Sequence, residues 1–354
     1  ATPMAELETA LAAEHQMLAF EPGDWAPLYG RPAGSGTLGG ALACNLAGPR
    51  RIKAGAARDH FLGFTAVNGR GQIYKGGGPV VKNVTGYDLP KLLAGSFGTL
   101  SVMTEVTIKV LPRPEKQRTV LIFGETPDTA NRTMTAALGS TYDVSGASYL
   151  PAVLALGSRV DLVSQAGMSV TALRIEGSGP SADHRCAALR RLFAGQTEEL
   201  HSMRSSVFWR EIRDVVPFTK DTTTHLWCLS VPPASGARVL ADLTARIDGL
   251  QAFLDWGGGL LWLSVPSVPR TEATDADSTD ANPADANSTE TCAAMIRQVL
   301  APWGGHATLM RAPDDLRRRV AVFAPGAAEA LMRQVKQAFD PAGILNAGRL
   351  SAQW

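Results

Sequence analysis

This sequence has few aromatic residues, few cysteines and no long apolar run, and each scarcity excludes something. The four cysteines, Cys44, Cys186, Cys228 and Cys292, are far apart and form no C-x-x-C pair. Neither a disulfide framework nor a cysteine-bound metal cluster is expected, and a reducing cytoplasm fits. No apolar run approaches the ~20 residues that cross a bilayer. The longest candidate, Gly257–Pro266, is short and glycine-rich and reads as a buried strand. The N-terminus lacks the basic start, apolar middle and small-residue cleavage site of a signal peptide. Peripheral membrane attachment through a partner stays open. An excess charge of one sign is also missing: 34 basic side chains face 33 acidic ones. Nucleic acid, which recruits basic surfaces, is therefore not an expected partner.

What is present is length for two lobes and a great deal of glycine: 354 residues, 35 of them glycine. The chain opens on Thr2-Pro3, an N-cap followed by proline at a first helical position, and apolar spacing suggests a helix over Met4–Leu18. Phe61–Asn68 reads as a strand, Gly69–Gly71 as a turn and Gln72–Lys75 as the hairpin partner. Asp88–Leu93 is a short helix. Leu100–Leu111 alternates β-branched residues until Pro112 ends it. Beyond Pro112–Glu115, where we place a domain boundary, the texture changes. Strands are expected at Arg118–Phe123, within Val160–Ile175, at Leu226–Val231 and at Gly259–Val265. Helices are expected at Thr126–Leu138, Ala182–Phe193, Val239–Leu250 and Cys292–Leu300. This alternation suggests an antiparallel sheet covered by helices on one face. The acidic, small-residue stretch Arg270–Thr291 cannot bury enough surface to offset its ordering entropy and reads as a disordered insert. Glu329–Phe339 is an amphipathic helix, with Leu331, Val335 and Phe339 on one face. Asp340-Pro341 stops it.

Gly34-Ser-Gly36-Thr-Leu-Gly39 matches the dinucleotide pattern G-x-G-x-x-G, and Asp59 stands where that fold wants its ribose-binding acid. The fingerprint needs a buried strand entering the first glycine. Two prolines, Pro27 and Pro32, interrupt the preceding segment, so a nicotinamide-binding unit is not expected. The physical content survives: small residues from Ser35 to Gly40 let backbone N–H groups approach a pyrophosphate or the polar edge of a flavin. A tight turn of packed glycines is the plainer alternative.

Three blocks decide between them. Thr37–Phe64 (TLGGALACNLAGPRRIKAGAARDHFLGF) resembles, without a gap, the T-I-G-G … N-A-G-G … R-D-x-x-L-G run of the vanillyl-alcohol-oxidase or PCMH-type FAD-binding superfamily. Lys82–Pro112 is similar to its K-N-x-T-G-Y-D-L … G-T-L-G-I-I-T-E block. Phe339–Leu350 is similar to its terminal F-D-P-x-G-I-L-N-P-G-K. Within the superfamily the chain most resembles the glycolate oxidase FAD-binding subunits, on the strength of Gly48–Arg51 (G-P-R-R), Lys82–Leu89 and Gly304–Leu309 (G-G-H-A-T-L).

The resemblance implies an α+β fold. It would comprise the second lobe of a PCMH-type FAD-binding domain over residues 1–113, a cap domain of antiparallel sheet and helices over 114–310, and a segment, 311–354, that returns to the flavin lobe. Family members carry an earlier lobe whose glycine loop grips the pyrophosphate. That lobe is expected to be missing here, with FAD affinity lowered accordingly. By the same resemblance FAD lies along Ser35, Gly36, Thr37, Leu38, Gly39 and Gly40. Asn45, Gly48 and Gly55 lie near its ring, Gly98, Thr99 and Val102 at the adenosine half, and Asn346 returns towards the flavin. Lys82 and Asp88 read as structural. Arg50 and Arg51 suit a substrate carboxylate or a partner subunit.

For catalysis the signal is thin. Relatives that oxidise 2-hydroxy acids carry Glu-His-Gly shortly before the final helix, and this chain reads GGHATLMRAPDD instead. His306 is the one candidate base, and no metal site is expected. The implied function is a FAD-binding subunit of a heteromeric glycolate oxidase, partnered by a larger paralogous flavin subunit and an iron–sulfur subunit. A self-sufficient FAD-dependent 2-hydroxy-acid dehydrogenase and a scaffold that has lost flavin are the alternatives.

Overall fold

The structure, a computed structural model, describes residues 1–80, 86–193, 195–267, 289–324, 326 and 328–351. Lys82 and residues 270–288 of the acidic stretch lie outside the described residues.

The first lobe runs through α1 (Met4–Ala13), β1 (Gln16–Met17), α2 (Leu38–Ala43), α3 (Arg51–Ala54), α4 (Ala57–His60), β2 (Phe61–Asn68), β3 (Ile73–Gly77), α5 (Leu89–Leu93), β4 (Ser101–Ile108) and β5 (Leu111–Pro112). β3, β2 and β4 form an antiparallel sheet in that order. Its inner face buries Phe61, Phe64 and Ala66 against Leu38, Leu42 and Leu93 of the helices above it. α1 stops at Ala13, short of the Leu18 expected from spacing, because the chain turns to pair Gln16–Met17 with β5. Its cap is Pro3, one residue later than expected.

The second lobe follows with β6 (Lys116–Phe123), α6 (Pro127–Leu138), β7 (Gly146–Leu150), α7 (Ala152–Ala155), α8 (Asp161–Ser164), β8 (Val170–Gly177), α9 (Gly179–Leu192), β9 (Thr197–His201), α10 (Ser202–Arg213), β10 (His225–Ser230), α11 (Gly236–Thr244), β11 (Gln251–Asp255), β12 (Leu260–Val265), α12 (Thr289–Leu300), β13 (His306–Arg311) and α13 (Asp314–Arg319). α14 (Glu329–Phe339) then crosses back to the first lobe. The eight strands pair antiparallel in the order β13-β10-β12-β11-β7-β8-β6-β9. The fold is α+β, as expected.

Helices cover both faces of this sheet, which corrects the one-face expectation. Alternation along the strands explains it. In β12, Leu261 and Leu263 pack with α6, α9, α11 and α12 on one side. Leu260 and Trp262 turn to the other, where Phe208, Trp209 and Ile212 of α10 lie. Val160–Ile175 is likewise not all strand: Asp161–Ser164 is a helical turn and only Val170 onward joins the sheet. α11 ends at Thr244 rather than Leu250. Thr289–Thr291, assigned to the acidic insert by composition, begin α12.

The lobes meet on a buried ionic quartet. Arg174 on β8 clamps Glu21 with two parallel hydrogen bonds of 2.9 and 2.8 Å. Arg50 grips Glu176 at 3.0 and 2.7 Å and reaches Glu21 at 3.1 Å. Burial alone would raise the Glu176 carboxyl, but Arg174 and the Arg50 bonds hold it down at about 2. Arg50 is therefore neutralised inside the protein and is not available to a carboxylate ligand, which removes half of the Arg50–Arg51 expectation.

Candidate functional site

The glycine row opens the site. Thr37 caps α2 by accepting the Gly40 N–H at 3.2 Å. Leu38 donates to the Thr2 carbonyl and Met4 to the Gly36 carbonyl, so the start of the chain ties the loop down. Ser35, Gly36 and Gly40 are exposed, Thr37 and Gly39 are half-buried, and Leu38 points into the core. A Cβ added at Gly36 or Gly39 would meet nothing. The row is therefore an open shelf of backbone rather than a packed turn, and it fits a ligand that approaches backbone closely. Asp59, the residue that imitated a ribose-binding acid, accepts the Ala56 N–H at 2.8 Å and caps α4.

Asn45 and Asn346 frame the next part. Asn45 sits at φ +50°, Phe97 at +53° and Asn346 at +42°, a concentration of left-handed non-glycine backbone. Such strain persists where the surroundings over-determine it, commonly at ligand sites. The Asn346 amide donates to the Phe97 carbonyl at 2.7 Å, and a Cβ at Gly98 would strike that amide at 2.8 Å. The Asn45 side-chain oxygen accepts the Arg58 N–H at 2.9 Å. Gly48 is different: it is buried, and a Cβ there would lie 2.2 Å from the Glu21 carbonyl. Gly55 takes φ +82° at the end of α3. Thr99 is buried, with its hydroxyl donated to Ser96 and its carbonyl accepting Lys336 Nζ at 2.8 Å. Val102 is 55% exposed on β4. The structure thus brings Asn45, Gly98 and Asn346 together beside the glycine-row helix, whereas Gly48 lies at the seam between the lobes.

Further polar groups lie on β10 and on β13, an edge strand of the large sheet. Register places Ser230 against His306 and Cys228 against Thr308. Cys228 is half-buried, and desolvation pushes its thiol up to about 12, even with Arg51 nearby favouring the thiolate. Burial also raises the Cys44 thiol and the Tyr29 phenol. His306 is held below the usual histidine value by partial enclosure and by the Arg51 charge. All these groups are neutral near pH 7. The charges acting on these groups are the guanidinium groups of Arg51, which is exposed, and of Arg317 and Arg349 near Tyr29; none of the three forms an ion pair with a described residue. Phe97 and Phe323 pack at a tilt, with ring centroids 5.0 Å apart.

Sequence reasoning missed Tyr29, Trp256, Phe97, Phe323, Arg317 and Arg349. Trp256 alone left a trace, since a tryptophan before three glycines signals a forced turn. Among the described residues, no cluster of His, Cys, Asp and Glu could hold a metal ion.

Comparison with known proteins places this glycine row and the C-terminal return within one family. Residues 1–77 match the FAD binding domain family, and residues 323–350 match the C-terminal domain of FAD linked oxidases. The solved structure of alkyldihydroxyacetonephosphate synthase superposes with a TM-score of 0.62 at 16% identity, covering 98% of this chain and 63% of that one. That likeness shows the PCMH-type fold alone. The glycolate oxidase subunit GlcE of Escherichia coli strain K12 is 33% identical over 99% of this chain and 80% of its own length. The D-2-hydroxyglutarate dehydrogenase of Stutzerimonas stutzeri is 25% identical over 97% of this chain and 75% of its own. The chain is a FAD-linked oxidoreductase, and it belongs to the GlcE family of glycolate oxidase subunits.

Proposed function

We propose that this chain is the FAD-binding subunit of a heteromeric glycolate oxidase, in which glycolate becomes glyoxylate and electrons leave through an iron–sulfur partner. A larger paralogous flavin subunit completes the assembly. The observation that carries this reading is the open shelf Ser35–Gly40 in a chain similar to GlcE over 99% of its length.

Bound FAD would supply a two-electron acceptor for the carbon bearing the hydroxyl. In this reading the backbone of Ser35, Gly36, Thr37, Leu38, Gly39 and Gly40 lies along the pyrophosphate. Asn45 and Asn346 orient the ring edge, with Gly48 and Gly55 shaping the seam beside it. Gly98, Thr99 and Val102 line the adenosine half. Oxidation of an alcohol also needs a base for the hydroxyl proton. His306, exposed at the start of β13, is the candidate imidazole, and desolvation and the Arg51 charge lower its value, which keeps it neutral and able to accept a proton near pH 7. No carboxylate among the described residues pairs with it, so an orienting partner of the kind that sharpens a catalytic histidine is lacking.

The full-length likeness to a D-2-hydroxyglutarate dehydrogenase favours a second reading, a self-sufficient 2-hydroxy-acid dehydrogenase. Purification separates the two. Co-purification with an iron–sulfur protein, a flavin spectrum and no dye reduction by the isolated chain support the subunit. Dye reduction by the chain alone with glycolate or D-lactate supports the dehydrogenase. A chain without flavin under either condition overturns both.

A further inference from the structure

The glycine row is approached by a strap, residues 23–34, that is built onto the second lobe. Trp25 packs edge-on against Trp262 of β12, with ring centroids 5.2 Å apart, and its indole N–H donates to the Arg213 carbonyl at 3.1 Å. Leu28 has no exposed surface and lies in the same apolar cluster as Phe208, Trp209 and Trp262. Its carbonyl accepts a bond from Arg311 Nη1 of β13 at 3.0 Å. The Asp24 N–H donates to the Asp214 carboxylate at 2.9 Å. Besides the ionic quartet, the lobes meet where the Arg51 guanidinium lies over the Trp256 ring, 4.6 Å from its centroid. The strap is a further junction, and it runs directly into the glycine row.

Past the strap the moorings change. From Gly36 onward the row is bonded to the start of the chain through Met4 and Leu38, and Leu38 and Leu42 sit in the core of the first lobe. Asp24 closes the strap. Its Oδ2 accepts the Gly34 N–H at 2.6 Å, a short bond of the kind carboxylates make with backbone donors. Its Oδ1 is buried with no hydrogen-bond partner among the described residues, so the Gly34 N–H is the donor this carboxylate serves. Ser35 stands between the two moorings. Gly34 at φ +82° and Gly36, where a Cβ would meet nothing, give that link no packing of its own. A displacement of one lobe against the other therefore falls on the backbone of the row.

We propose that Asp24 is a positioning residue that latches the glycine row to the second lobe, so that the row keeps its ligand-binding shape only while the two lobes stay in register. The functional half of this inference rests on the reading of Ser35–Gly40 as the FAD shelf; the latch itself does not. Backbone amides hold an anion only when they converge on it, and the bond at Gly34 fixes where the converging run begins. The consequence is a flavin shelf whose grip answers to events in the second lobe, without any second-lobe side chain having to touch the flavin.

Hydrogen exchange and fluorescence titration with FAD test this on the full chain, stripped of any flavin, and on three variants. Asp24→Ala removes the acceptor. Asp24→Asn keeps an oxygen for the Gly34 N–H. Trp25→Phe keeps a ring against Trp262 and loses the bond to Arg213. Asp24→Ala deprives the Gly34 amide of its own partner, so the decisive amides are those of Leu38 and Gly40, whose bonds to Thr2 and Thr37 it leaves in place. They should exchange about tenfold faster or more in Asp24→Ala, with β10 and β12 unchanged, and FAD binding should weaken by a similar factor. Asp24→Asn should restore both readings, and Trp25→Phe should reproduce part of the effect from the second lobe. Wild-type exchange at Leu38 and Gly40 in Asp24→Ala overturns the proposal, as does unchanged exchange in Trp25→Phe or FAD binding by Asp24→Ala equal to wild type. Faster exchange spread evenly over both sheets, in the alanine and asparagine variants alike, marks general destabilisation and overturns it as well. If exchange behaves as expected in a chain that takes up no FAD, the latch stands and the FAD-subunit reading fails.

Discussion

At the scale of single residues the site is shaped by groups held in unusual states. Asp255, next to Trp256, is buried to 2% exposure, and its Oδ1 has no hydrogen-bond partner among the described residues. Burial pushes its carboxyl up to about 7, against the Trp256 backbone bond and the Arg174 charge. A folded value above the unfolded one means that the folded state holds the proton more tightly. The stability this gives is complete below about pH 4 and is lost as the pH rises through about 7. Asp255→Asn keeps the shape and removes the titration. The variant should melt with a weaker downward trend between pH 6 and 8 than the parent, and at pH 8 it should be the more stable by a few kcal/mol. Parallel pH profiles for the two proteins would show that Asp255 does not titrate in that range. Gly48 gives a steric prediction. A methyl there would strike the Glu21 carbonyl, so Gly48→Ala should cost about 1–3 kcal/mol in denaturant unfolding. A neutral result would mean that the seam can open without penalty.

At the scale of elements, α14 carries the return of the chain to the flavin lobe. Lys336 and Asp340 face inward from it, 3% and 2% exposed. Lys336 Nζ donates to Asp340 and to the Thr99 and Leu345 carbonyls, the last two at 2.8 Å. Asp340 in turn accepts the Leu345 N–H at 2.8 Å and the Ile344 N–H at 3.2 Å. One buried pair thereby fixes the loop that delivers Asn346 to Phe97. Removing one partner strands the other charge, so Lys336→Met should cost about 3–5 kcal/mol. It should also speed proteolysis beyond Phe339 and lower retained FAD, whereas an unchanged digestion pattern would detach the pair from the loop.

Elements that carry their own punctuation were legible in the sequence. α14 runs Glu329–Phe339 as its periodicity implied, because Asp340-Pro341 stops it, and β2 occupies Phe61–Asn68 because alternation ends at a glycine turn. α6 begins after Thr126, whose hydroxyl accepts the Thr129 N–H at 3.2 Å. Elements whose pattern is set by their neighbours were not legible. β9 is an edge strand of Thr-Glu-Glu-Leu-His with one buried residue, and only its pairing to β6 makes it a strand. β13 begins inside Gly304–Leu309, whose G-G-H-A-T-L pattern is too short to establish strand alternation of its own. The glycine row was visible because chain-local chemistry defines it. The Arg51–Trp256 contact was not, because it joins residues far apart in the chain that only tertiary packing brings together.

At the scale of the molecule, the two lobes are coupled through charge as well as apolar contact. Glu21 and Arg50 belong to the flavin lobe, while Arg174 and Glu176 sit on β8 of the large sheet. Arg174 has no exposed surface, lies over Trp209 at 4.7 Å, and is the bidentate partner of Glu21. Cutting one member leaves an uncompensated buried charge, which costs more than the net worth of the pair. Arg174→Met should therefore destabilise the chain by about 3–5 kcal/mol. The loss should fall at the seam, so that thermal unfolding separates into two transitions, with the small sheet and its glycine row melting before the eight-stranded sheet. Glu21→Gln combined with Arg174→Met removes both charges and should recover part of the loss, a coupling read directly from a double-mutant cycle. A single transition at the parental midpoint in Arg174→Met would mean that apolar packing alone joins the lobes. A split transition that the double variant merges again would mean that the quartet sets how the lobes meet, and with it the Arg51–Trp256 contact across that seam.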